Sequence, residues 1–107
     1  MKHHSKHPPI NKLKARAWIN DLPVDFYVSG QSARTLAALV AAKSKGITAL
    51  EVSSWAYRLG AYIHTLRHEY GLNIVMRKEK HPGGWHGRYM LETRLEIQSV
   101  KYGKGAF

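Results

Sequence analysis

The period of the apolar positions changes several times along the chain, and each change marks an element. Trp18 and Ile19 precede Asn20-Asp21-Leu22-Pro23, and Val24, Phe26 and Val28 then alternate, which predicts two short strands over 14–28 joined at the turn formers. Ala33, Leu36, Ala37 and Val40 follow at helical spacing, with Ser29 placed to cap the start and Lys43, Lys45 and Gly46 to close the end. Thr48 and Glu51 then form a T-x-x-E box, and Ile47 and Val52 a hydrophobic staple across it, so a second helix is expected from Ala49. It should be short, because the hydroxyls of Ser53 and Ser54 compete for the backbone.

Leu59, Ile63, Leu66 and Tyr70 give the clearest stripe, at i, i+4, i+7 and i+11, and predict a third helix over 57–70 that Gly71 ends. Gly60 lies inside it, at a cost of about 1 kcal/mol relative to alanine, which argues for close approach to a neighbouring helix or a ligand backbone. Beyond Gly71 the period falls to two. Leu72, Ile74 and Met76 predict one strand, Tyr89 and Leu91 its partner, and Lys80 to Gly87 the loop between them; Leu95 and Ile97 suggest one more strand. The class is therefore α+β: three helices, a β-hairpin before them and a second hairpin attached directly after a helix-turn-helix spanning 46–71.

At 107 residues the chain suits one domain. The pattern divides it into a disordered basic arm over 1–11, a folded domain over 12–100 and a mobile basic tail over 101–107. Charge changes the picture most. Seventeen Lys and Arg against seven Asp and Glu leave a net charge of +10, a field that favours a polyanion and makes nucleic acid the first candidate partner. No apolar run approaches the ~18 residues of a membrane span, and no basic amphipathic stretch leaves a bulky apolar face free, so a membrane partner is not expected. The absence of cysteine excludes disulfides and thiolate metal sites, and no signal-peptide segment follows the basic start, which makes the cytoplasm, at the nucleoid, the expected compartment.

The segments V-S-G-Q-S-A-R-T-L (28–36), T-A-L-E-V-S-S-W-A (48–56), R-L-G-A-Y-I-H-T-L-R (58–67) and G-G-W-H-G-R-Y (83–89) resemble small winged helix-turn-helix DNA-binding proteins of bacteria and their phages. The resemblance covers about 28–92. It implies that the second helix of the motif enters the major groove of double-stranded DNA while the hairpin loop touches the backbone or the minor groove. Those roles fall here on 57–68 and 78–88. Two departures stand out: the outer helical face carries a single arginine, and the N-terminal hairpin is not part of a minimal winged helix, so docking mode and homodimer contact stay open.

With the apolar stripe inward, the outer face of the third helix presents Tyr57, Arg58, Ala61, His64, Thr65 and His68. Arg58 can take guanine bidentately, and its neighbours add single donors or methyl contacts. The hairpin contributes Lys78, Lys80, His81, Trp85, His86 and Arg88. Elsewhere Lys12, Lys14 and Arg16 are candidates for phosphate, as are Gln31, Ser32 and Arg34 beside a helix N-terminus. Each of these charges could equally be a solvated face.

His64 and His68 have the i, i+4 spacing of two zinc ligands, but no glutamate adjoins His64 and no third ligand is evident; His3, His4 and His7 form a tail cluster without supporting groups. No metal or cofactor is expected. The carboxylates are scattered and no nucleophile-base arrangement is recognisable, so the chain does not read as an enzyme. The leading function is a transcriptional regulator. A DNA-bending architectural or excision-type protein, and an adaptor that binds protein or RNA, are the alternatives.

Overall fold

Asn20 and Asp21 both take positive φ, 53° and 66°, the backbone that a two-residue hairpin turn requires and that these two side chains tolerate. The turn is therefore two residues rather than four, and Leu22 and Pro23 already belong to the second strand. The computed structural model describes residues 10–103. In chain order its elements are β1 (Ile10–Ile19), β2 (Leu22–Ser29), α1 (Gly30–Ala42), a 3-10 turn at Lys43–Lys45, β3 (Ile47–Thr48), α2 (Leu59–Tyr70), β4 (Ile74–His81), β5 (Gly84–Leu91) and β6 (Leu95–Tyr102). β1 thus begins inside the span expected for the arm, and β6 runs two residues into the span expected for the tail. Residues 1–9, with His3, His4 and His7, and 104–107 lie outside the described residues.

Two antiparallel three-stranded sheets form, in the orders β2-β1-β6 and β3-β5-β4. In the first, Leu13, Ala15 and Ala17 are fully buried, and the register sets them beside Val28, Phe26 and Val24 on one side and Val100, Ile97 and Leu95 on the other. The apolar face of β1 is thus carried by residues that alternate with its cations, not by Trp18, which lies on the reverse face under the Arg94 guanidinium at 3.9 Å. The alanines let α1 pack closely. Its buried residues are Ala33, Thr35, Leu36 and Leu39, so the stripe is turned slightly from the expected one and Ala37 and Val40 are half-buried. Thr35 tolerates burial because its hydroxyl donates to the Gln31 carbonyl at 2.8 Å.

The expected second helix does not form, so the described residues hold two α-helices and six strands instead of three helices. The capping box itself is made: the Thr48 amide donates to Glu51 Oε1 at 3.0 Å and the Glu51 amide to Thr48 Oγ1 at 3.2 Å. Beyond it the chain turns without propagating. Val52 donates to the Thr48 carbonyl and Ala56 to that of Val52, but Ser53 and Trp55 bond only three residues back, so no two successive helical bonds occur. The serines weaken the helix, and α1 supplies a competing partner: Gln31 Nε2 donates to the Trp55 carbonyl at 2.6 Å.

α2 starts at Leu59, two residues later than expected, and buries Leu59, Ile63 and Leu66 against the core. Gly71 closes it in the left-handed region, and the Leu72 amide reaches back to the Leu66 carbonyl. Gly60 meets no neighbour, since a methyl built there finds nothing within 4 Å; close packing against another helix is not the reason for this glycine. The second hairpin is paired to its tip, His81 facing Gly84, so the expected loop over 80–87 shrinks to Pro82 and Gly83, with φ 92° at Gly83 as a type II turn needs. β3 pairs with the other edge of β5 through Ile47–Tyr89 and Thr48–Arg88.

Candidate nucleic-acid interface

The buried stripe of α2 fixes what its other side shows. Ala61, His64 and His68 are exposed and Thr65 is half-buried, and the imidazoles of His64 and His68, one turn apart, lie 4.1 Å between centroids. Tyr57 and Arg58 sit in the turn before the helix rather than on it. The Arg58 carbonyl accepts from the Ala61 and Tyr62 amides at 2.9 and 3.2 Å, while its guanidinium is exposed and makes no hydrogen bond or ion pair among the described residues. At the far end of α2, the half-buried Arg67 donates twice to the Ile74 carbonyl, at 3.0 and 2.7 Å, and so ties the helix to the first strand of the hairpin. Sequence reasoning passed over Arg67 because nothing local marks a guanidinium that reaches backbone seven residues ahead.

The hairpin residues do not form one surface. Its register puts Lys78, Lys80 and Trp85 on one face, with the Lys78 ammonium 4.5 Å from the Trp85 ring and Met76 lying over Gly87. His81, His86 and Arg88 occupy the other face, around Glu79. Arg88 Nε donates to Glu79 Oε2 at 2.7 Å, His86 Nε2 donates to Glu79 Oε1 at 2.9 Å, and Arg77 reaches Oε2 at 3.3 Å. Arg88 also reaches Glu51 Oε1 and the Lys45 carbonyl, both at 3.3 Å, and its side chain is only 16% exposed. It clasps the hairpin to the capping-box turn and is not available as a phosphate contact.

Arg88 first and His86 second hold the Glu79 carboxyl far below its usual 4.5, at about 2. A carboxylate with a depressed folded value contributes stability that is present above its unfolded value and lost as pH falls through the folded one. The wild type is therefore expected to lose melting temperature between about pH 4.5 and 2, with a steeper pH slope than Glu79→Gln. Parallel slopes for the two proteins over that range would show that the carboxylate contributes nothing through these bonds.

The remaining candidates divide as well. Gln31 and Arg34 face the 49–56 turn, Gln31 through its bond to Trp55 and Arg34 with its guanidinium 4.6 Å over the Trp55 ring, so both are committed to holding that turn. Ser32, between them in sequence, is half-buried and makes no side-chain hydrogen bond among the described residues. Arg16 forms a bidentate pair with Asp25 at 2.7 and 3.0 Å. Lys12, Lys14 and Arg16 lie on the face of the first sheet opposite the one that α1 covers, and are not part of the α2–hairpin surface. No group of three metal-ligating side chains occurs among the described residues.

A helix, a capped turn, a second helix with an unpartnered outer side and a paired hairpin tied to its end define a winged helix. A family model described as winged helix domain matches residues 25–101, and the chain belongs to that family, as a small winged-helix DNA-binding protein. No curated protein and no solved structure matches the chain. Among the described residues no helix is long and apolar enough to cross a membrane.

Proposed function

We propose that the protein is a transcriptional regulator that inserts α2 into the major groove of double-stranded DNA, with the Lys78–Lys80–Trp85 face of the wing on the adjoining backbone or minor groove. The observation that carries this reading is the outer side of α2: exposed Ala61, His64 and His68, open space over Gly60, and an unengaged Arg58 at the N-terminal end, the end that reads base edges in this docking geometry. Selection of bound sites from a random duplex pool supplies the test. Arg58→Ala is expected to cost about 1 to 3 kcal/mol on the preferred site and to relax preference at one base position. Lys80→Ala is expected to weaken all sequences alike, because an ammonium is a point charge suited to any phosphate. An equal loss on specific and nonspecific duplexes for Arg58→Ala would make it a phosphate clamp and remove the basis for direct readout.

One observation favours the duplex-bending reading. Leu50 and Tyr57, at either end of the irregular turn in front of α2, are 83% and 86% exposed, and apolar side chains so placed can wedge between base steps. Circularly permuted duplexes distinguish the two: a mobility that depends on site position in the wild type and not in Leu50→Ser would make bending part of the function.

A further inference from the structure

Both helices lie on one side of the first sheet. α1 covers Leu13, Ala15 and Ala17, and the Tyr70 ring at the end of α2 packs 5.0 Å from Phe26, which pairs with Ala15 on that same face. The reverse face is the side of this sheet that neither helix covers. That reverse face is basic at one end. Lys12 and Lys14 lie two residues apart on β1, and the register sets Lys101 opposite Lys12.

Some cations of this protein are held by carboxylates, while others, Arg58, Lys78 and Lys80 among them, form no ion pair among the described residues. In the wing, Arg77 faces Arg88 and both pair with Glu79; on the first sheet Arg16 is held by Asp25. Lys12 and Lys14 form no ion pair among the described residues. Their ammoniums instead lie near one ring, Tyr27, at 5.1 and 6.0 Å from its centroid. Tyr27 is 55% exposed, and its cations are positioned without being discharged.

The chemistry this face would bind is phosphate on a backbone. Alternate residues of a strand project to one face about 6.6 Å apart, so Lys12 and Lys14 present two neighbouring cations to such a backbone. Stacking of unpaired bases is disfavoured, because the exposed ring of Tyr27 already carries cations and that of Trp18 is covered by Arg94.

We propose that the outer face of the β2-β1-β6 sheet is a second DNA-binding surface, which holds a further duplex segment while α2 and the wing hold the first. The protein then bridges two duplexes, or two parts of one. This rests on the duplex-binding reading above, and its test is arranged to separate the two.

The full chain is loaded on an immobilised short duplex, and capture of a second, labelled duplex is measured for the wild type and for Lys12→Gln/Lys14→Gln. Affinity for one short duplex in solution is measured in parallel. The wild type is expected to capture the second duplex, and the double variant to bind a single duplex within about twofold while losing capture by about tenfold or more. A wild type that binds the first duplex and captures no second overturns the bridging proposal alone, as does a double variant that captures as well as the wild type, which would place bridging in paired copies of the chain. Equal losses in both measurements would put these lysines on the first duplex. Preferential displacement of the captured duplex by single-stranded DNA would show that the face reads bases, and a wild type that binds no duplex removes both readings.

Discussion

Gly46→Ala is expected to destabilise the domain by about 3 kcal/mol or more, a large share of the roughly 5 to 15 kcal/mol that holds a domain folded. Gly46 has φ 69° and ψ −174°, a region that is essentially closed to residues with a side chain and costs of order 1 to 3 kcal/mol when forced. The added methyl would also land on the Tyr89 carbonyl oxygen and 2.7 Å from Met90 Cγ. The first of these is backbone and cannot swing aside. Relief requires β3 to move off β5, which separates the capping-box turn from the wing and pulls Arg88 from Glu51. DNA binding should therefore fall with stability. The check is thermal melting: a Gly46→Ala protein within about 2 °C of the wild type would mean that this junction relaxes freely.

Gly60→Ala is the matched control, since the same change is made in open space on a helix. It should raise stability by up to about 1 kcal/mol, or several degrees in melting temperature for a domain of this size. A Gly60→Ala protein that melts higher yet binds duplex less well would locate the DNA backbone against this turn of α2. Of the two reasons a mid-helix glycine can have here, a neighbouring helix or a ligand backbone, the open space over Gly60 leaves the second.

What was legible in the chain was local. The T-x-x-E box, the stripe of α2 and its glycine stop depend on residues close in sequence and form where the pattern puts them, and the Asn-Asp turn forms inside the four residues expected for it. What failed depended on partners far away in sequence. Ala49–Ala56 carries a good helix start, yet Gln31 from α1 bonds the Trp55 carbonyl and the helix does not propagate. Arg88 reads as a free cation until the β4–β5 register brings Glu79 beside it and the β3–β5 pairing brings Glu51. The buried face of β1 is Leu13, Ala15 and Ala17, alternating with Lys12, Lys14 and Arg16, but alanines carry little weight in an apolar pattern.

The salt dependence of duplex binding follows from which cations are left free to meet phosphate. A charge of +10 invites the view that most of the seventeen Lys and Arg meet phosphate, which would give a log-log slope of about −15. The structure argues for far fewer. Arg16 and Arg88 are held by carboxylates, Arg34 by the Trp55 ring and Arg67 by the Ile74 carbonyl, and Lys12 and Lys14 face away from α2. Arg77 is likewise held by Glu79 and Arg94 lies over the Trp18 ring; among the described residues, Arg58, Lys78, Lys80 and one of the lysines of the 3-10 turn, counted as the contacts to a single duplex, give a slope of about −3.6 and a fall in affinity of about 150-fold between 50 and 200 mM salt. Titration of a short duplex against the full chain measures it. A slope near zero would end the nucleic-acid reading. A slope steeper than about −6 would mean that the lysines of the first sheet share the same duplex, which then must wrap the domain, and the protein would bend DNA where the present geometry has it bridge.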